Sequence, residues 1–335
     1  MKILVTGGLG YIGSHVTTLL LEKSVDVISV DNLENSRIEV LDGIKEITGK
    51  QPIFKQLDIR DENALKNLFK DHTDIDGVIH FAAYKAVGES VKQPLRYYHN
   101  NIVGLLNLLN SIAKIGIPLI FSSSCTVYGQ ADKLPIKESA SILPAASPYG
   151  YSKQVGEQFV KDTCKAHKNF NAILLRYFNP IGAHPSAKIG EQPQGVPQNL
   201  VPFLTQTAIG KHPVLKIFGS DYDTPDGTCI RDYIHVMDLA EAHINSLEYL
   251  ISSKNTSKCE TFNVGTGKGV SVLEVIQTFE KVSGKKVPYQ FTEPRDGDTV
   301  AAFADVEMIE QKIGWKAKYT LEEALKNAWD WEKNH

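Results

Sequence analysis

The chain has 335 residues, of which 42% are apolar, 22% charged and 9% aromatic. This length and composition exclude a mini-protein and a disordered chain, and they predict two domains or one large domain with an elaborated lobe. The 36 basic and 39 acidic residues give a net charge of −3, so no global positive field would attract nucleic acid or an anionic membrane.

Short apolar runs alternate with longer segments of helical period, which is the pattern of βαβ units. We expect strands near residues 2–6, 26–31, 52–57, 76–81, 117–122, 171–177 and 260–264. Between them, apolar residues three and four positions apart predict crossover helices at 12–23, 61–70 and 95–114. The sequence therefore predicts an α/β fold with a Rossmann-type, doubly wound parallel sheet.

Regular sheet building stops at residues 179–202, which contain five prolines and three glycines. Beyond them, helical patterns cover residues 199–209, 235–250, 271–283, 305–312 and 320–333. We expect a first domain over residues 1–178, to which residues 235–264 return. The other segments of 179–335 would then form a smaller α/β lobe that holds the substrate.

The four cysteines, Cys125, Cys164, Cys229 and Cys259, are scattered, with no Cys-x-x-Cys pair and no zinc-finger spacing. This pattern favours reduced thiols over a disulfide or metal framework. The first residues show neither the basic start nor the apolar segment of a signal peptide, and no run approaches ~18 apolar residues. We therefore expect a cytoplasmic protein that is not embedded in a membrane.

A glycine-rich segment, Thr-Gly-Gly-Leu-Gly-Tyr-Ile-Gly at residues 6–13, joins the first predicted strand to a helix. Its glycines permit a tight turn, the close approach of a pyrophosphate and close packing of helix on strand. Asp31, at the end of the second strand, is placed to accept hydrogen bonds from ribose hydroxyls and to repel a 2′-phosphate. We therefore predict that the first domain binds NAD rather than NADP.

A Tyr-x-x-x-Lys pair lies in the segment Ser-Pro-Tyr-Gly-Tyr-Ser-Lys at residues 147–153. The segment is typical of a helix start with a serine cap, so Tyr149 and Lys153 lie one turn apart on one helix face. Upstream, a serine-rich strand end places Ser124 at the carboxyl edge of the sheet, where open α/β folds bind ligands. These three residues predict a catalytic group.

The pairing of a tyrosine with a lysine has an electrostatic reason. A tyrosine of pKa ~10 must lose about 3 pKa units, or about 4 kcal/mol, to act as a base near neutral pH. One lysine charge ~6 Å away, at an effective dielectric of ~20, supplies roughly 3 kcal/mol. A positively charged oxidised nicotinamide nearby would supply the remainder. We therefore predict that Tyr149 exchanges a proton with a substrate hydroxyl that Ser124 also contacts.

These motifs resemble those of the extended short-chain dehydrogenase/reductases. More narrowly, the chain is similar to the UDP-glucose 4-epimerase family at residues 80–90, 122–129, 147–153, 176–186, 193–203 and 227–240. The resemblance implies reversible interconversion of UDP-glucose and UDP-galactose, with NAD held tightly through the cycle. It also implies a homodimer formed through the helices at 95–114 and 149–167. Ala83 and Ala187 stand where the family commonly has glycine, and neither change removes a functional side chain.

The resemblance assigns roles to residues along the whole chain. It implies catalysis by Tyr149, Lys153 and Ser124. The residues implied to bind the cofactor are Gly7, Gly10, Tyr11, Ile12, Gly13, Asp31, Asn32, Asp58, Ile59, Phe81, Ala82, Ala83, Lys85, Asn100, Ser122, Tyr149, Lys153 and Tyr177. Those implied to bind the UDP-sugar are Ser124, Tyr149, Asn179, Asn199, Leu200, Phe218, Arg231, Tyr233, Arg295, Asp298 and Ala302.

Several of these residues have ordinary explanations on spacing alone. Asp58 and Ile59 follow the third strand, where they can flank an adenine or serve as a solvated carboxylate and a core side chain. Arg231 and Arg295 suit a pyrophosphate, although a lone arginine is more often a surface ion pair. Lys85 without the resemblance would be an ordinary solvated lysine.

The resemblance also bears on substrate size. In the family, the residue four positions after the aspartate of the Arg-x-Gly-Asp stretch borders the sugar pocket. It is tyrosine in forms restricted to glucose and galactose, and smaller in forms that also accept N-acetylated sugars. Here this position is Ala302, which implies that UDP-N-acetylglucosamine and UDP-N-acetylgalactosamine are interconverted as well.

Two alternative functions use the same fold, and the first of them begins with the same oxidation of the sugar. A sugar-nucleotide 4,6-dehydratase needs an added acid/base pair, Asp-Glu in those relatives, where this chain has Cys125-Thr126-Val127. A non-catalytic NAD-sensing regulator would be expected to lose the tyrosine or the lysine. The ten histidines form no metal-binding spacing, so no metal is expected.

Overall fold

The computed structural model describes residues 1–294 and 299–335. The strands are, in chain order, β1 (Lys2–Thr6), β2 (Asp26–Asp31), β3 (Ile53–Gln56), β4 (Gly77–His80), β5 (Leu119–Ser122), β6 (Ala172–Tyr177), β7 (Asn179–Ile181), β8 (Leu215–Phe218), β9 (Ile230–Arg231), β10 (Tyr233–His235), β11 (Cys259–Val264), β12 (Val270–Ser271), β13 (Tyr289–Thr292) and β14 (Ala301–Ala302).

The helices are α1 (Tyr11–Glu22), α2 (Val40–Thr48), α3 (Glu62–Asp71), α4 (Val87–Lys92), α5 (Pro94–Tyr98), α6 (Gly104–Ile112), α7 (Pro148–Ala166), α8 (Leu200–Ala208), α9 (Val236–Ile251), α10 (Val272–Ser283), α11 (Glu307–Ile313) and α12 (Leu321–Asn334). A π-helical turn, His99–Val103, joins α5 to α6, and a 3₁₀ turn, Cys125–Tyr128, follows β5. Within the described ranges, no helix is both long and apolar enough to cross a bilayer.

Seven parallel strands form the main sheet, in the order β11-β6-β5-β4-β1-β2-β3. Its central strands are almost continuously apolar, because helices cover both faces of the sheet. The seven strands and the Rossmann-type fold that the sequence predicts are confirmed. Residues 235–264 add α9 and β11 to this layer, with Cys259 in register with Ala172 and Val264 with Tyr177.

The alternation of side chains along the strands divides the core into two layers. Ile3 and Val5 project into a cluster with residues of α1 and α9, whereas Leu4 joins residues of α3, α6 and α7 on the opposite face. This packing places α1 on one face of the sheet and α7 on the opposite face. The two helices that carry the predicted site motifs are therefore held by the core.

Two parts of the helical pattern differ from the expectation. The predicted helix at 95–114 is divided into α5, the π-helical turn and α6. The sequence interpretation also omitted α2, which has no side-chain cap and buries only Gly43 and Ile44. Its apolar residues Val40, Leu41, Ile44 and Ile47 nevertheless recur at helical spacing and pack on the core, so the pattern of a helix is present in the sequence.

Over its described residues, the second lobe contains three small sheets that the sequence did not predict. Strand β7 pairs with β10, β8 pairs with β13, and β9 lies between β12 and β14. Strands of two to four residues are too short to show an alternating pattern. They pack with α8, α10 and α12 around a core that includes Leu204, Phe279 and Trp329.

A buried ion pair connects α7 to β6 beneath the carboxyl edge of the sheet. The Arg176 guanidinium donates from Nε and Nη2 to the Glu157 carboxylate at 2.8 and 2.6 Å, and both side chains are 4% exposed. Ser123 Oγ donates to the same carboxylate at 2.7 Å. Lys161 adds an outer contact at 3.1 Å and is itself 34% exposed. Glu157 thereby ties the serine-rich strand end to α7.

We expect Arg176→Met to lower the free energy of unfolding by about 3 to 5 kcal/mol, because it leaves a buried carboxylate without its main partner. The control Lys161→Met removes the exposed partner of the same carboxylate and should cost about 0 to 1 kcal/mol. Urea unfolding of both variants measures the difference. Equal losses for the two variants would contradict the importance that we assign to the buried pair.

Candidate active site

The glycine-rich loop between β1 and α1 leaves no space for a side chain at Gly7 or Gly13. Gly7 has φ +68°, and a Cβ added there would lie 2.8 Å from the Ala82 nitrogen. A Cβ at Gly13 would overlap the Gly7 carbonyl oxygen. Gly10 precedes α1 without any side-chain cap, which leaves the first amides of the helix available to a phosphate.

Asp31 ties the end of β2 to this loop. Its carboxylate accepts hydrogen bonds from the Leu9 and Leu33 backbone nitrogens at 3.1 and 3.0 Å and from Ser36 Oγ at 2.7 Å. A carboxylate has about four acceptor positions, so it retains capacity for a ribose hydroxyl. The loop, the helix start and Asp31 together fit the pyrophosphate and ribose of a dinucleotide.

A cavity beyond Asp31 is lined by Asn32, Glu34, Gln56, Leu57, Asp58 and Arg60. Asn32 Nδ2 donates to Asp58 at 3.1 Å, and the Arg60 guanidinium lowers the pKa of Asp58 to about 2. Ile59 is instead buried and packs against Gly104 of α6. The structure thus places Asp58 at the cavity and Ile59 behind it. Sequence reasoning missed Arg60, although it stands only two residues after Asp58.

The Tyr-x-x-x-Lys pair lies at the start of α7. Ser147 Oγ accepts from the Gly150 nitrogen at 3.1 Å, and Pro148 occupies the first turn. Lys153 Nζ donates to the Ser122 carbonyl oxygen at 2.6 Å. The Ser124 side chain lies close enough to the Tyr149 phenol to lower its pKa. The structure therefore brings the three predicted catalytic residues together, buried at the carboxyl end of β5.

Burial acts against the charged forms of both members of the pair. It raises the pKa of Tyr149 well above its usual value, and the nearby Tyr177 phenol adds to the rise, while the Ser124 side chain opposes it. Burial also lowers the pKa of Lys153 to about 8, with Glu157 opposing that shift. Lys153 therefore retains its charge near neutral pH, and an ionised Tyr149 depends on positive charge around it.

Further predicted cofactor residues lie at the ends of β4 and β6 and in the π-helical turn. Phe81 and Ala82 follow β4, and the Ala82 amide lies 3.5 Å from Thr6 Oγ1. Tyr177 ends β6, and the Ser122 side chain lies close enough to its phenol to act on its pKa. Asn100 lies buried in the π-helical turn, where its side chain donates to Asn101 at 3.0 Å. Sequence reasoning missed a further neighbour of these residues, His243 of α9, which gave no signal because its strand partners are remote in the chain.

Lys85 forms an ion pair with Glu191 of the second lobe instead of extending alone into solvent. Its Nζ lies 2.7 Å from Glu191 Oε1 and 5.6 Å from the centre of the Tyr11 ring. Asn199 Nδ2, at the start of α8, donates to the same Glu191 oxygen at 2.8 Å. Glu191 therefore joins a predicted cofactor residue to a predicted substrate residue.

The predicted substrate residues gather around the small sheets. Asn179 of β7 is in register with Tyr233 of β10, and Ala302 of β14 is in register with Arg231 of β9. Leu200 begins α8 and Phe218 ends β8. Arg295 and Asp298 lie outside the described residues.

The Arg231–Ala302 pair lies beside the segment that follows Ser124, the predicted catalytic serine. The Arg231 charge acts on the Cys125 thiol, whose pKa burial nevertheless raises to about 11. Ala302 packs against an apolar cluster that contains Val127 and Phe178. The predicted sugar pocket and the catalytic residues are thus neighbours.

Of the two departures from the family pattern, Ala187 has a backbone consequence. It adopts φ +54°, a left-handed conformation that favours glycine. The departure therefore costs some backbone strain but leaves the site chemistry unchanged. Among residues 1–294 and 299–335, no group of three or more His, Cys, Asp or Glu side chains could hold a metal ion.

Known proteins match this chain over its full length. A family model described as GDP-mannose 4,6 dehydratase matches residues 4–328. The UDP-glucose 4-epimerase of Bacillus subtilis (strain 168) is 48% identical over 336 residues, covering 100% of this chain and 98% of that protein.

Two solved structures are similar to this one. UDP-glucose-4-epimerase from Stenotrophomonas maltophila, with bound NAD and formylated UDP-arabinopyranose, has a TM-score of 0.95 and 45% identity, covering 100% of this chain and 98% of that one. The UDP-Glc/GlcNAc 4-epimerase from Campylobacter jejuni has a TM-score of 0.85 and 37% identity, covering 100% and 99%.

The dehydratase match lies at the level of the wider family, whereas relatives named as epimerases share almost half of their residues with this chain from end to end. The chain belongs to the UDP-glucose 4-epimerase family.

Proposed function

We propose that the protein interconverts UDP-glucose and UDP-galactose by epimerisation at C4 of the sugar, with NAD bound throughout the cycle. The observation that carries this proposal is the burial of Tyr149, Lys153 and Ser124 together at the carboxyl end of β5. A proton-transfer group at that place, beside a dinucleotide loop, suits oxidation and reduction of a sugar hydroxyl.

Residues 1–178, with 235–264, would hold the cofactor. The glycine loop and the start of α1 take its pyrophosphate, Asp31 takes a ribose, and the cavity at Asp58 takes the adenine. The other residues assigned to the cofactor are Tyr11, Ile12, Asn32, Ala83, Lys85 and Asn100. Bound NAD supplies reversible hydride acceptance from C4, together with a positive charge near Tyr149 in its oxidised form.

Tyr149 acts as the base in this account. As a phenolate it accepts the proton of the sugar 4-hydroxyl, while Ser124 hydrogen-bonds that hydroxyl and helps to relay the proton. Lys153 stabilises the phenolate, and its ~3 kcal/mol offsets part of the ionisation cost that burial increases. The 4-keto sugar then turns about its bonds to the diphosphate, and Tyr149 returns the proton after the other face is reduced.

The second lobe would hold the UDP-sugar. Arg231 and Arg295 offer planar cationic donors to the pyrophosphate. Contacts with the uracil, the ribose and the sugar are assigned to Asn179, Asn199, Leu200, Phe218, Tyr233 and Asp298. Glu191 supports this division, because it bridges Lys85 of the first domain and Asn199 of the second lobe.

The residues near Ser124 disfavour the dehydratase alternative. Dehydration requires an acid/base pair to remove water across C5 and C6, and the 3₁₀ turn after β5 begins with Cys125 and Thr126 instead of two carboxylates. A non-catalytic sensor is disfavoured because Tyr149 and Lys153 are both present and joined to the serine strand.

We also propose a homodimer in the cytoplasm. Leu95, Leu106 and Tyr151 lie on α5, α6 and α7 and are 79%, 40% and 51% exposed, which suits a helical interface with a second copy. The four cysteines are free thiols, and this supports a reducing compartment.

We expect Tyr149→Phe to lower kcat for UDP-galactose about 10²- to 10⁴-fold, because it removes the group that takes the proton. Tyr151→Phe is the matched control, since this exposed tyrosine two residues later makes no contribution to the base. Product analysis with UDP-galactose and no added hydride acceptor measures both variants and the wild type. Failure of the NAD-loaded wild type to form UDP-glucose, or full turnover by Tyr149→Phe, would contradict the proposed function.

We expect the wild type to interconvert the N-acetylated UDP-sugars, and Ala302→Tyr to suppress this activity while sparing UDP-galactose. A phenol ring in this packed position would strain a bulky N-acetyl group by ~1 to 3 kcal/mol, or about 5- to 150-fold in kcat/KM. Ala301→Tyr is the control, because successive strand residues project to opposite faces. Wild-type turnover of UDP-galactose with none of UDP-N-acetylgalactosamine would show that neighbouring side chains fill the space.

We expect sedimentation at micromolar concentration to give a dimer of the 37.1 kDa chain, and Leu95→Glu to shift it toward the monomer. Placing a charge in an apolar interface leaves that charge desolvated and unpaired. Ile53→Glu, on an exposed residue of edge strand β3, is the control. A wild type that sediments only as a monomer would rule out the dimer.

A further inference from the structure

His243 occupies a buried position behind the proposed nicotinamide site. It projects from α9, is 0% exposed, and lies between the ends of three strands of the main sheet. Its ring centre lies 4.6 Å from that of Phe81 and 6.2 Å from that of Tyr177. The histidine thus contacts both aromatic residues that are assigned to the nicotinamide wall.

The hydrogen bonds of His243 define its tautomer. Nδ1 lies 2.8 Å from the Leu239 carbonyl oxygen, and because a carbonyl can only accept, Nδ1 carries the proton. Burial lowers the pKa of His243 to about 4, so the ring is neutral near neutral pH. Nε2 is therefore an acceptor, and Ser122 Oγ, 3.3 Å away, is its donor.

Ser122 bonds His243 and Lys153 at the same time. Its hydroxyl proton is committed to His243. Its carbonyl oxygen accepts from Lys153 Nζ at 2.6 Å. One serine therefore connects His243 to the predicted catalytic lysine.

The contacts of His243 stabilise the end of β5 in two ways. Its Nε2 accepts the hydroxyl proton of the residue whose carbonyl oxygen holds Lys153. Its ring packs against those of Phe81 and Tyr177. Without an acceptor at residue 243, the Ser122 hydroxyl would be free to turn.

We propose that His243 is a positioning residue for the epimerisation, acting through its hydrogen bond to Ser122, which holds Lys153, and through its packing against the Phe81 and Tyr177 rings. It does not touch the reacting atoms. The inference rests on the proposed function, because it concerns the same site. It adds a residue from α9, outside the Tyr-x-x-x-Lys helix and the serine strand.

The test compares two substitutions of His243 that differ in the acceptor. His243→Met keeps an apolar side chain of similar volume but removes the Ser122 acceptor. His243→Gln places an amide oxygen within reach of Ser122. We expect His243→Met to lower kcat for UDP-galactose about tenfold, with KM within about twofold, because the UDP contacts lie on the second lobe. His243→Gln should recover kcat to within about threefold of the wild type.

A second readout is the fraction of NAD that stays with the protein through gel filtration, which we expect to fall in His243→Met and to recover in His243→Gln. Ser246→Ala is the matched control on α9, because Ser246 is buried and its hydroxyl has no hydrogen-bond partner among the described residues. Thermal unfolding of each variant reports any general loss of structure.

The outcomes separate this inference from the proposed function. A wild type without epimerase activity would contradict the function itself. An active wild type with His243→Met unchanged in kcat and NAD retention would overturn the role of His243. Equal losses in His243→Met and His243→Gln would also overturn it, since the acceptor would then be irrelevant.

Discussion

Lys153 buries an ammonium group at the carboxyl end of β5, where its Nζ donates to the Ser122 carbonyl oxygen at 2.6 Å and lies 5.0 Å from the centre of the Phe121 ring. A buried charge is costly unless it is bonded, and these contacts hold the first turns of α7 against the strand. Tyr149, one turn earlier, therefore meets Ser124 at the strand end. The geometry of the proposed proton transfer follows from this one buried contact.

Other buried charged groups stabilise the same contact between α7 and β5. Glu157, one turn after Lys153, bonds Ser123 and Arg176 and so ties α7 to both β5 and β6. Its negative charge favours the protonated form of Lys153. The serine side chains at this strand end therefore alternate in direction. Ser123 bonds the ion pair, whereas Ser122 and Ser124 face the proposed site.

The sequence was informative wherever a signal is local. The seven main strands, the loop at Gly7 and the Tyr149–Lys153 pair each lie within a short segment with its own pattern. Strands β9 and β14 could not be predicted, because two-residue strands exist only through pairing with remote segments. His243 and Glu191 were missed for the same reason, since their partners are separated from them by many residues.

The central claim is that one site removes and returns the same hydrogen at C4 while Tyr149 handles only the hydroxyl proton. The most direct test is to incubate the protein in ordinary water with UDP-galactose deuterated at C4 and to analyse the UDP-glucose formed. The account predicts that the deuterium stays at C4 of the product. Loss of the label to solvent would contradict it, because the hydrogen would then have left as a proton.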